Sequence, residues 1–231
     1  MEASESSGIE ARPRRPSLQE APAGEVAARE VEVAAFLPLA LLESVRSHDR
    51  PEEVLEDENL TASLPRRLGL SDVIHTQIRR YTEANRKGRP IPARELVDLI
   101  RLVIRRPDAE EILDEAGRGM IALYLDGLGE RRARIARVLP RAVARASFIR
   151  RVRILARRIA AGAQSQVEKT PPRARFSSSI TAEVDPGGVA CSIYTSAFQA
   201  LAGRYLRNEP RVEHTRCEAR GDEVCEWTVH E

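Results

Sequence analysis

A chain of 231 residues, 42% hydrophobic and 31% charged with 13 Gly and 14 Pro, can bury a sizeable core, and its composition excludes collagen-like, mucin-like and wholly disordered classes. Its longest near-apolar run, VAAFLPLALL at 33–42, is about half of what a membrane span needs, and the acidic start MEASESSGIE lacks the basic and apolar regions of a secretory signal. Net charge is +2, yet residues 131–160 hold eleven arginines and no acid, which leaves −9 for the remainder. A cytoplasmic protein without a membrane span is expected.

Residues 1–28 mix Ser, Pro, Ala and both charge signs without apolar periodicity, and read as a disordered tail. From 29 to 163 the pattern is helical. Leu37, Leu41, Leu42 and Val45 share a helical face that ends near Ser47–Pro51. Ser71 is placed to cap a helix that Gly88 and Pro90 end. Leu96, Leu99, Ile100 and Val103 define the next helix, about 93–106, which Pro107 stops. Asp108 and Glu111 have capping-box spacing for a helix that runs to Gly127–Gly129. A long basic helix is predicted over 131–160. Ile135, Val138, Leu139, Val143, Phe148, Val152, Leu155 and Ile159 face inward on it, with the arginines outside.

The character changes after 163. QSQVEKTPPRAR reads as a linker, because paired prolines cannot continue a helix. FSSSITAEV is strand-like, and the turn cluster Asp185-Pro186-Gly187-Gly188 returns into VACSIY as a second strand. A short helix over about 195–207 places Phe198, Leu201, Ala202 and Tyr205 on one side. RVEHTRC and VCEWTVH then pair as a hairpin around Gly221-Asp222. The fold class is α+β: a helical part (29–163), then a small antiparallel sheet with an inserted helix (164–231).

All three cysteines, Cys191, Cys217 and Cys225, lie in this last part. An odd number in a cytoplasmic chain disfavours a disulfide framework and raises the question of metal. His214 stands three residues before Cys217, so three thiolates and one imidazole supply a complete tetrahedral set for zinc. The hairpin brings Cys217 and Cys225 together, and Cys191 comes from a neighbouring strand or the start of the short helix. One geometric difficulty stands. Residues three apart on a regular strand face opposite sides, so a bulge or the strand end must re-aim His214 or Cys217. Glu213 has the correct parity to be the fourth ligand instead, and water is a third choice. Against metal stand two plainer readings: thiols packed as small buried hydrophobes, or a Cys217–Cys225 disulfide.

The string VEHTRCEARGDEVCEWTV, preceded by SIYTSAFQALAGRYL, resembles the 4-vinyl-reductase-like domain family over roughly 170–231. Cys217, Gly221-Asp222 and Cys225 match its C-terminal pattern, and Cys191 falls at its upstream Cys. The family includes sensor domains of phenol-responsive activators, a protein of bacteriochlorophyll synthesis and distant TRAPP-complex subunits. The resemblance implies a bacterial homodimer with zinc held by three Cys and a Glu beside a pocket for a small hydrophobic or aromatic molecule. His214 stands at the Glu position, a substitution that imidazole chemistry tolerates.

Three functions follow as expectations. The first is a non-catalytic, zinc-stabilised binding module acting as sensor, carrier or adaptor. The second is an enzyme or accessory factor in tetrapyrrole vinyl reduction, although no nucleotide, flavin or iron–sulfur motif supplies a reductant. The third is a scaffold that meets an acidic protein partner through the basic helix. That helix has no aromatic stacking residue or base-reading motif, so direct nucleic-acid binding is not expected. His75 reads as a core-edge residue, while His48 and His230 have no nucleophile to pair with. Trp227, Phe198, Tyr194 and Tyr205 either line a pocket or form the sheet's core.

Overall fold

The computed structural model describes residues 31–49, 72–126, 140–207 and 210–230. The expected tail, Ser71, the turn at 127–129, and Ile135, Val138 and Leu139 lie outside them. In chain order the elements begin with β1 (Glu32–Ala34), α1 (Phe36–His48), α2 (Asp72–Arg86), β2 (Pro90–Pro92), α3 (Ala93–Val103) and α4 (Ala109–Asp126). They continue with α5 (Arg141–Ile159), β3 (Gln164–Lys169), β4 (Pro172–Ser177), α6 (Ile180–Val184), α7 (Ser192–Tyr205), β5 (Arg211–Arg216) and β6 (Cys225–His230). The described residues thus combine seven α-helices with two small antiparallel sheets.

The apolar run at 33–42 becomes β1 and most of α1, buried from Phe36 to Leu42. A helix apolar on every side belongs in the middle of a domain, and α1 packs between α2 and α4. Pro38 lies in its first turn, where its missing N–H has no helical acceptor to lose. The helix α4 packs in turn on α7, which lies against the four-stranded sheet β3-β4-β6-β5 together with α5. One continuous cluster of buried side chains runs from Val33 to Val229, so the helical part and the sheet share a core. Among the described residues no helix is long and apolar enough to cross a membrane.

Several expectations need correcting. The stretch QSQVEKTPPRAR is a β-hairpin, β3 and β4, with its prolines at the turn and at the start of the return strand, where no ladder N–H is required. FSSSITAEV divides: Phe176 ends in β4 and Ile180–Val184 is helical. The segment after Gly188 winds into a short 3₁₀ turn and then α7 rather than returning as a strand. The carboxylate of Asp108 pairs with the guanidinium of Arg106 at 2.9 Å instead of closing a capping box. The helix α5 starts at Arg141, behind Pro140. Phe148, Val152, Leu155 and Ile159 are buried on it as the wheel requires, but Val143 is 46% exposed.

Candidate metal centre

The site forms where the turn before α7 meets the β5–β6 hairpin. Cys191 is delivered by the turn before α7, and the Asp185 carboxylate fixes that turn. It accepts the N–H of Gly187 at 2.9 Å and of Ala190 at 2.8 Å. The cluster Asp-Pro-Gly-Gly therefore acts as a local Asx-type clamp, and Gly188 supplies the left-handed conformation (φ 78°) beside the Cys217 sulfur.

Cys217 follows β5 and Cys225 opens β6. The connection closes through N–H groups of Arg220 and Asp222 donating to the Cys217 carbonyl, with Gly221 at φ 93°. The Cys217 N–H donates to the Asp222 carboxylate at 2.7 Å.

The parity problem is solved by a bulge. His214 pairs with Trp227 and Arg216 with Glu226, so Thr215 is the extra residue and the ladder slips by one. His214 and Cys217 thereby return to the same side. His214 lies parallel to the Trp227 ring, with centroids 4.6 Å apart and planes 4° apart. Glu213, by contrast, is exposed and pairs with His230 at 3.4 Å, away from the cluster.

One ligand atom from each of Cys191, His214, Cys217 and Cys225 lies within 4.8 Å of every other, and the four could hold a metal ion. The Cys191 and Cys217 sulfurs are 4.0 Å apart. A tetrahedral zinc with bonds of about 2.3 Å to sulfur sets its ligand atoms about 3.8 Å apart, so the widest pair closes by about an ångström. A second observation agrees with the donor chemistry: His214 Nε2 is buried without a hydrogen-bond partner among the described residues. Such an orphan costs on the order of 1–3 kcal/mol.

The thiols are electrostatically unequal. The neighbouring Cys191 thiol pushes the Cys225 pKa down, against the effect of burial, with His214 and the Glu218 N–H helping. The same contact, with burial, pushes Cys191 up, while Thr181 Oγ1 at 3.2 Å opposes it. Glu218 supports this corner: its carboxylate accepts the N–H groups of Ser178 and Ser179 at 2.7 and 2.8 Å. Sequence reading missed these supporting groups. Asp185 and Asp222 had a signal in their turn composition, whereas Thr181 and Glu218 had none.

Beside the centre lies a narrow apolar cleft between α5, α7 and the sheet, lined in part by Phe148, Val152, Val167, Phe198 and Trp227. It has room for about one water molecule. Of the four aromatic candidates, Trp227 and Phe198 line it, while Tyr194 and Tyr205 are buried in the core. His48 contacts Glu115 at 3.0 Å, and His75 is exposed rather than at the core edge. On α5, Arg150 and Arg157 are exposed, while Arg158 lies over the Phe36 ring at 5.1 Å.

Comparison with protein-family models, curated proteins and solved structures finds no match.

Proposed function

We propose that the chain is a non-catalytic, zinc-stabilised binding module for a small hydrophobic ligand. The observation that carries the reading is the convergence of Cys191, from the turn before α7, with His214, Cys217 and Cys225, from the β5–β6 hairpin, onto one point within 4.8 Å. Three soft thiolates and an imidazole suit zinc, and four protein ligands leave no open position for a substrate. The ion would therefore tie the α7 turn to the β5–β6 hairpin and hold the fold, rather than activate water. The apolar cleft is lined by Trp227, on which His214 stacks without itself lining the cleft, and is where a hydrophobic ligand would enter. The resemblance of 170–231 to the 4-vinyl-reductase-like domains supports the same pairing of metal and pocket, with His214 in place of the acid.

The test is metal analysis by mass spectrometry on protein purified without a histidine tag, with thiol titration before and after chelation. About one zinc per chain is expected, with three thiols released and the cooperative thermal transition lost on chelation. A metal-free protein that folds stably with three reactive thiols would overturn the reading.

A further inference from the structure

The single tryptophan of the chain stands between the two halves of the proposed site, and its contacts tie it to both. Its indole stacks on the His214 imidazole at 4.6 Å. Its Nε1 donates to Thr195 Oγ1 at 2.9 Å, and that hydroxyl donates to the Cys191 carbonyl at 3.4 Å. Two of the four candidate ligands are thus connected to one side chain, His214 by its ring and Cys191 through the first turn of α7. Three further rings pack around Trp227: those of Phe176, Tyr194 and Phe198 have centroids 5.5, 5.6 and 5.8 Å away.

Trp227 and Phe198 also line the cleft. Because the cleft holds about one water, a ligand of aromatic size cannot enter without displacing its walls. A close-packed interior passes such a displacement on instead of absorbing it. Metal–ligand distances in an occupied site lie within about 0.2 Å of their standard values. An indole tilted away from the cleft moves the imidazole plane stacked against it.

Resting on the binding-module reading, we propose that cleft and metal centre are coupled antagonistically through Trp227: filling the cleft weakens the hold on the metal, and the metal weakens the ligand. Linkage requires the two effects to be equal. The fold is then a device that converts the presence of a small apolar molecule into a change in metal affinity.

The experiment measures zinc affinity by competition with a chromophoric chelator, with and without saturating toluene. Toluene affinity is measured in turn with and without zinc. Cobalt(II) replaces zinc in a parallel series, where the d–d bands report the tetrahedral donor set. The expected result is a reciprocal weakening of roughly 5–20-fold in both affinities, with a shift of the cobalt bands on toluene addition. A probe-independent arm uses Val167→Phe, which places a ring in the cleft from β3. With native circular dichroism, this variant is expected to bind zinc less tightly by a similar factor without any ligand.

If toluene and zinc both bind but their affinities are independent or mutually enhanced, the coupling is overturned and the binding module stands. If zinc binds and toluene does not, and Val167→Phe leaves zinc affinity unchanged, both the coupling and the ligand-binding reading fail.

Discussion

At Thr215 strand β5 carries one residue more than its partner, and that insertion puts His214 on the side of the cysteines and against Trp227. The neighbouring residues matter for the same reason: they hold the ligand-bearing backbone where the sulfurs meet. Asp222 is the clearest case, because its carboxylate accepts the N–H of Cys217 itself at 2.7 Å. Supporting groups around metal ligands commonly contribute 10–100-fold to affinity. Asp222→Ala is expected to weaken metal binding about 10-fold in a chelator competition, and Asp222→Asn, which keeps an acceptor, by less. Equal affinities for all three proteins would reduce Asp222 to an ordinary turn residue.

Among the described glycines, Gly117 makes the closest approach, where α4 packs on α7. A Cβ built at Gly117 would lie 2.4 Å from the Ile193 carbonyl oxygen and 2.8 Å from Ser196 Cβ, both on α7. The adjacent hydrogen bond from Ser196 to Asp114, at 2.6 Å, keeps the helices at that separation. Gly117→Ala therefore cannot be accommodated by a side-chain rotation, and a cost of about 1–3 kcal/mol is expected. Gly203, in α7, has nothing within 4 Å of its would-be Cβ. There, alanine is expected to stabilise by about 0.5–1 kcal/mol through helix propensity alone. Urea titration of the two variants, side by side, separates a steric role for Gly117 from a generic glycine effect.

The same elements show what was legible in the chain. The helices α1, α3 and α7 and the β5–β6 hairpin follow from periodicity and turn chemistry, because each is long enough for a face to repeat. The candidate ligands were legible too, since thiol and imidazole are rare residue types and their spacing limits the geometry. The β3–β4 hairpin was not, because its strands are polar, half-buried and joined across prolines, a composition shared with linkers. VACSIY looked like a strand because β-branched and aromatic residues carry that propensity, but burial of Cys191, Ile193 and Tyr194 beneath the sheet decided for a helix. The two-stranded sheet of β1 and β2 left no signal: each strand has three residues, and two prolines lie in β2. Nor could the Trp227–His214 stack be read before the register was known.

For the molecule as a whole, the outer face of the sheet predicts how stability responds to acid. Glu226 is 6% exposed yet charged, placed between Arg175 and the Thr215 hydroxyl. Burial alone would raise its pKa, but hydrogen bonds from Arg175 and Thr215 outweigh it and hold the carboxyl below the ordinary range. Glu95, bound by Tyr81 and Arg80 in the helical part, shows the same balance with the same sign. A carboxylate with a depressed folded-state pKa stabilises the fold at every pH above its unfolded value, about 4.3, and loses that contribution as pH falls through the folded value. Both ends of the shared core therefore lose stability over the same acid window, below about pH 4.5. With zinc in excess, so that proton competition at the metal site is common to wild type and variant, thermal midpoints are expected to fall below that pH. Glu226→Gln should be less stable near neutrality by about 1–2 kcal/mol, because Arg175 loses its charged partner. It should also show a shallower acid decline, so that the two curves converge as pH drops. Parallel curves would mean that Glu226 does not titrate with folding, and that the Arg175 contact contributes no more than an exposed pair.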